Sequence, residues 1–213
     1  MNKRSIFTIL CVLISEPVLA ETDYQLLNSG QWRDPQTNLI WMRCSVGQSW
    51  TGSTCQNLPK EFGRSDTIRF VNDIPYGSGF AGYTTWRLPT AFELASIRYC
   101  SNGWKRVISH TISSIESGVS ENVKGNFLKT YVSFRGEDIE IPERCADGSR
   151  VPTINTNIFP NSAKTPLAGY KWWSSENGAH GYTSLGISLL NGFVGELPDS
   201  FPSSAHIRLV RDN

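Results

Sequence analysis

The chain has 213 residues, 20 basic and 19 acidic side chains, and a formal net charge of +1. A balance this close to neutral supplies no whole-molecule field for nucleic acid or an anionic membrane, so neither is an expected partner. The length suits one domain or slightly more, enough for a real hydrophobic core.

Met1–Ala20 reads as a secretory signal peptide. Asn2-Lys3-Arg4 is the basic start, Ile6 to Ile14 the apolar core, and Val18-Leu19-Ala20 the small-residue cleavage pattern, with cleavage after Ala20. The apolar run is too short to span a bilayer, and no later stretch approaches the ~20 apolar residues that a membrane helix needs. Cys11 lacks the small residues that precede a lipidated cysteine. The expectation is an exported, soluble protein, periplasmic or extracellular, with residues 21–213 as one domain. Without Lys3, Arg4 and Glu16, the mature chain carries 18 basic and 18 acidic residues.

Four cysteines remain, Cys44, Cys55, Cys100 and Cys145. An even count in an exported chain implies two disulfides, with three pairings open. The polar, glycine-containing loop between Cys44 and Cys55 favours that pair, which leaves Cys100 with Cys145. The absence of a CxxC or HxxxH pair argues against a zinc site.

From Tyr24 the chain is expected to enter in extended form. Arg33 to Thr37 reads as a turn and Asn38 to Arg43 as a strand buried on both faces. Ser65 is a candidate cap for a short helix carrying Ile68, Val71 and Ile74, stopped by Pro75 and Gly77-Ser78-Gly79. Phe80 to Cys100 carries the strongest local signals. Pro89 forces Leu88 toward extended geometry and ends the run Trp86-Arg87-Leu88. Thr90 and Glu93 then form a T-x-x-E capping box. Ala91, Phe92, Ala95 and Tyr99 are spaced to share the apolar side of the helix.

Residues 101–151 read as an elaborated middle region. Val107 to Ile112 and Thr130 to Phe134 have strand composition, and Arg135 to Asp138 reads as a turn. The last third reads as antiparallel sheet: Tyr170 to Ser175, Tyr182 to Leu190, an Asn191-Gly192 two-residue hairpin into Phe193, and a final strand Ala205 to Val210. In that strand Ile207 and Leu209 alternate against Arg208. Two helices followed by this sheet predict an α+β domain.

WRLPT followed by an E-L helix resembles the bacterial Lcl C-terminal domain family (DUF1566). DPQTNLIWMRCS at 34–45, PTINTNIFP at 152–160, YKWWSSE at 170–176 and HIRLVR at 206–211 fit the same family in order. The segment R-L-P-T-x-x-E also looks like that of formylglycine-generating enzymes, whose fold is related to C-type lectins. The resemblance implies a C-type-lectin-like fold and marks Trp86, Arg87, Leu88, Pro89, Thr90, Glu93, Trp172, Trp173 and Arg208 as structural motif residues. Some members of the family resemble adhesive domains that attach to glycosaminoglycans. The enzymes similar to this chain use a cysteine pair in their C-terminal part, and nothing after Cys145 is a cysteine.

No catalytic constellation is expected. His110, His180 and His206 fall in no G-x-S-x-G or H-E-x-x-H context, and Glu93 is accounted for by its capping box. Arg87 would stack on Trp86 or pair structurally. No cofactor is expected, the E-P-N and W-N-D motifs of calcium-dependent lectins are absent, and the acidic residues lack calcium-loop spacing. Seven tryptophans suit sugar binding, in which a flat ring packs a saccharide face. Trp50 and Trp104, read as loop residues, are the candidate ligand-facing rings, with Lys105, Arg106, Lys124 and Lys129 as candidate charges gathered in the middle region. Trp172 and Trp173 would point to opposite faces of a strand, leaving one open to solvent. The function expected is a binding module, adhesin-like or surface-interacting, for a glycan or a cell-surface or envelope protein. A structural or tip subunit of an envelope or pilus assembly is the alternative, and a formylglycine-generating type of enzyme a disfavoured third.

Overall fold

The computed structural model describes residues 21–77, 79–105, 133–134, 137–138, 144–162, 169–178, 182–199 and 203–213. The signal-peptide reading lies outside them. The first element is α1 (Asp23–Asn28), where an extended entry was expected. The reason is a second capping box: Thr22 Oγ1 accepts from Gln25 N–H at 3.3 Å, and Gln25 Oε1 accepts from Thr22 N–H at 2.8 Å. Leu26 anchors this turn in the core.

β1 (Gln31–Arg33) runs through the predicted turn into β2 (Ile40–Met42). The Asp34 carboxylate closes that turn, accepting from Gln36 N–H at 3.0 Å and the Thr37 hydroxyl at 2.7 Å. β3 (Ser49–Trp50) and β4 (Cys55–Gln56) form a short hairpin tied back to β2 by Cys44–Cys55, the pairing expected. Trp50 is therefore on a strand and not in a loop.

α2 (Arg64–Asp73) begins at Gly63, which offers no side-chain cap. The predicted cap, Ser65, is inside the helix. Arg64 fixes the start instead, by reaching across to another strand described below. A 3-10 turn, Ile74–Tyr76, takes in Pro75 and ends the helix. α3 (Ala91–Ser96) has the predicted capping box. Its buried side chains are Ala91, Glu93, Leu94 and Ala95, and the helix ends before Tyr99, which is 51% exposed. The expected Phe92/Tyr99 face is thus corrected: Leu94 takes the core position, and Phe92 is half-buried.

In the middle region β5 (Trp104–Lys105), β6 (Ser133–Phe134), β7 (Glu137–Asp138) and β8 (Arg144–Cys145) are described. β6 pairs with β7, β5 pairs with β8, and Cys100–Cys145 ties this pair to the end of α3 as expected. Trp104 is thus also on a strand. The strand read at Val107 to Ile112 lies outside the described residues, and of Thr130 to Phe134 the last two are described.

β9 (Lys171–Asn177), β10 (Thr183–Ser188) and β11 (Phe193–Pro198) form an antiparallel sheet with β10 central. Ser188 pairs with Phe193, so the turn holds residues 189–192 and not two residues. Gly192 closes it at φ +70°, with its N–H bonded to Ser188 O at 2.7 Å. A Cβ there would sit 2.8 Å from Cys145 Sγ, so the turn needs glycine twice over.

β12 (Val210–Arg211) returns beside β2, giving a sheet ordered β1-β2-β12 that joins the two ends of the domain. Ahead of it, Ala205 and His206 make isolated bridges to Phe62 and Trp172. Ser204 to Arg211 are all buried. The alternation of Ile207 and Leu209 against Arg208 is real, but both sides face protein, so Arg208 is not a solvent-side residue.

Two cores lie on opposite faces of β2. Trp41 packs with Leu94, Ile97, Phe159, Trp172 and Ile187. Ile40 packs with Leu26, Phe62, Trp86, Ile207 and Leu209. Trp172 and Trp173 are both fully buried, correcting the expectation that one is exposed. Trp172 enters the first core, while Trp173 turns the other way and donates its indole N–H to Phe62 O at 2.8 Å. The result is an α+β domain of short helices and antiparallel sheets with two disulfides, and three α-helices among the described residues where two were expected.

Candidate functional site

The motif residues are committed to internal bonding. Trp86 is buried and donates to Phe80 O at 2.9 Å. Arg87 does not stack on Trp86 but pairs with Glu93 through two bonds of 2.8 Å. Hydrogen bonding to Glu93 holds the Arg87 guanidinium above its ordinary pKa. Glu176 Oε2 accepts from Ala91 N–H, at the start of α3, at 2.6 Å. Burial lifts the Glu176 carboxyl above the ordinary range against that hydrogen bond, and the charge of Glu93 adds to the rise.

Arg208 is the most enclosed cation among the described residues. It donates to the carbonyls of Met42 and Arg43 and, at 3.2 Å each, to the hydroxyls of Ser45 and Ser162. Its guanidinium lies 4.7 Å from the Phe159 ring centre. Burial pushes its pKa down to about 9, and no carboxylate pairs with it among the described residues. His206 is buried against Lys60 O and Gly169 O, and desolvation lowers its pKa despite those two carbonyls. Glu93, Arg208 and His206 are buried and spend these bonds on the scaffold, while the Arg87 side chain stays 37% exposed.

The predicted ligand-facing residues are not brought together within the described part of the chain. The Trp50 indole N–H is used by Asn28 O at 2.9 Å, and Arg43 covers its ring at 4.3 Å. A Cβ on Gly30, at φ +79°, would lie 2.7 Å from Trp50 Cγ, so the ring rests on that glycine. Trp104 and Lys105 are placed by their backbones in β5, opposite Cys145 and Arg144. Arg106, Lys124, Lys129, His110 and His180 lie outside the described residues.

The surface that does gather open polar groups lies between the first turn of α2 and the edge strand β9. Arg64 reaches from α2 to Ser174 O at 2.6 Å, Ser175 O at 3.2 Å and Asn177 Oδ1 at 3.2 Å, and so covers carbonyls that an edge strand would leave bare. Desolvation lowers its pKa, and the charge of Asp199 opposes that. On one side of Arg64 is a cleft of about 580 Å³ lined by Ser65, Ile68, Asn177, Tyr182 and Asp199. On the other is one of about 450 Å³, reaching Val71, Arg87, Thr90 and Ser175. Arg64 and Ile68 line both, so the two form one groove along α2. Pairing of Thr183 with Pro198 sets Tyr182 beside Asp199, whose N–H donates to Tyr182 O at 2.9 Å. Sequence reasoning missed this group, since Arg64, Asn177, Tyr182 and Asp199 share no motif and meet only through sheet register.

Among the described residues no three His, Cys, Asp or Glu side chains form a metal-holding group, and no helix is long and apolar enough to cross a membrane. No curated protein and no solved structure matches the chain significantly. A family model described as the Lcl C-terminal domain matches residues 30–211. That span takes in both disulfides, both three-stranded sheets and the WRLPT helix, and the chain belongs to the Lcl C-terminal domain family.

Proposed function

We propose that this protein is an exported, adhesin-like binding module of C-type-lectin-like fold that attaches to a glycan on a cell surface or envelope. The observation that carries the reading is the division of labour among its polar residues. Glu93, Arg208 and His206 are spent inside the scaffold, while the groove along α2 presents polar and aromatic groups to solvent. A rigid scaffold with an open polar groove is the arrangement of a binding protein. Cys44, Cys55, Cys100 and Cys145 are all joined in disulfides, which supports binding over thiol-dependent modification of a substrate. The chain is therefore read as a non-enzyme.

The experiment is a screen of the purified exported protein against a glycan array and cell-envelope fractions. Retention of at least one glycan is expected. Capture of an envelope protein with no glycan retained would replace this reading with that of an assembly subunit. On immobilised heparin, attachment through Lys105, Arg106, Lys124 and Lys129 would weaken as salt rises. Retention there that ignores salt would remove those four basic residues from the contact.

A further inference from the structure

The groove described above has an unmet hydrogen-bond demand at one end. Asp199 Oδ1 is buried and has no hydrogen-bond partner among the described residues, although its carboxylate lines an open cleft. A desolvated carboxylate oxygen is costly without a donor, and a ligand bearing one would relieve that cost. Arg64 lines the same cleft, but its terminal nitrogens are held by the carbonyls of β9 and by Asn177.

Two further groups meet there. Tyr182 is 90% exposed, the most exposed large hydrophobic of the described residues, and lines the cleft with Asp199. Arg64 Nη2 donates to Asn177 Oδ1, which orients that amide and leaves its Nδ2–H groups as donors. The cleft thus offers an acceptor, a donor and a flat ring. The charges of Arg64 and Asp199 oppose each other, so neither a strong anion nor a strong cation is favoured.

We infer that this cleft binds an uncharged pyranose unit. Ring hydroxyls donate to the Asp199 carboxylate and accept from Asn177 Nδ2, and the apolar C–H face of the sugar packs on Tyr182. The adjoining lobe past Ile68 toward Thr90 accommodates a following unit of the same glycan. The inference rests on the glycan-binding reading and names its site and ligand class, a neutral sugar in place of a sulfated one.

The test uses the purified exported protein, an array of neutral and sulfated oligosaccharides, and saturation-transfer NMR with methyl α-mannoside, methyl β-galactoside and N-acetylglucosamine. Binding of at least one neutral sugar, insensitive to added salt, is expected. Tyr182→Ala and Asp199→Ala should each weaken it by about tenfold or more with the melting temperature kept, and Asp199→Asn by less. Neutral-sugar binding that survives both alanine variants would place the site elsewhere and leave the glycan reading standing. Binding of sulfated glycans alone, lost with salt and in a Lys124/Lys129 double alanine, would likewise overturn this site but not that reading. No binding to any glycan would reject both.

Discussion

Both terminal nitrogens of Arg87 donate to both carboxylate oxygens of Glu93, and the same carboxylate accepts from the Thr90 backbone N–H at 2.7 Å. One side chain thus closes the capping box of α3 and holds the preceding extended run against it. The Glu93 side chain is 8% exposed and that of Arg87 37%. Glu93→Ala is therefore expected to cost about 2–3 kcal/mol, through the cap and the orphaned donors. Arg87→Ala should cost less, about 1–2 kcal/mol, because solvent screens its exposed part. A double-mutant cycle by urea unfolding should return a coupling of about 1 kcal/mol, and strictly additive losses would show that the pair contributes nothing of its own.

Arg208→Met removes the donor from the carbonyls of Met42 and Arg43 and from the Ser162 hydroxyl, while the Ser45 hydroxyl keeps only that of the Trp172 indole. A loss on the order of 3 kcal/mol is expected. Arg208→Lys should recover only part of it, since one ammonium cannot span four acceptors. Thermal unfolding of the two variants checks the order. A lysine variant as stable as the wild type would mean that charge alone, and not the planar fork, is what the site needs.

Glu176 sets a pH dependence of definite sign. Its folded-state pKa is raised above the ordinary 4.5, mainly by burial, so the folded protein holds the proton more tightly than the unfolded chain. Stability is then present below that ordinary value and falls as pH rises through the raised one. His206 acts oppositely below 6.5, because burial depresses its pKa and folding loses support as pH falls there. The difference between wild type and Glu176→Gln isolates the first effect. The glutamine can still accept from Ala91 N–H, so melting curves should converge at acid pH and the variant should gain relative stability as pH rises. A difference that does not vary with pH would refute the assignment.

The two disulfides close segments of unequal length, with sequence separations of 11 for Cys44–Cys55 and 45 for Cys100–Cys145. Loop entropy alone predicts losses of about 3 kcal/mol for Cys44→Ser and about 4 kcal/mol for Cys100→Ser. Urea midpoints measure the order, and non-reducing peptide maps of the wild type should recover both pairs. A map joining Cys44 to Cys100 or Cys145 would contradict the structure.

What the sequence by itself determined is whatever rests on neighbours along the chain. The Thr90–Glu93 box, the Asp34 turn, the buried run Ile40–Met42 and the Cys44–Cys55 pairing are all local patterns, and part of the family resemblance is carried by them. The box at Thr22 and Gln25 was equally local and could have been read by the same rule. Tertiary structure alone decided which faces are covered. Alternation places Trp172 and Trp173 on opposite sides of β9, but only tertiary packing buries both, Trp172 in the core with Trp41 and Trp173 against Phe62 O. Arg208 is charged and alternates with apolar residues, yet Ser45, Ser162 and two carbonyls brought from distant segments hold it inside. The groove on α2 follows the same logic. Arg64, Asn177, Tyr182 and Asp199 become neighbours through the β9–β10–β11 register and one helix laid across its edge, because hydrogen bonding across a sheet joins residues that lie far apart along the chain.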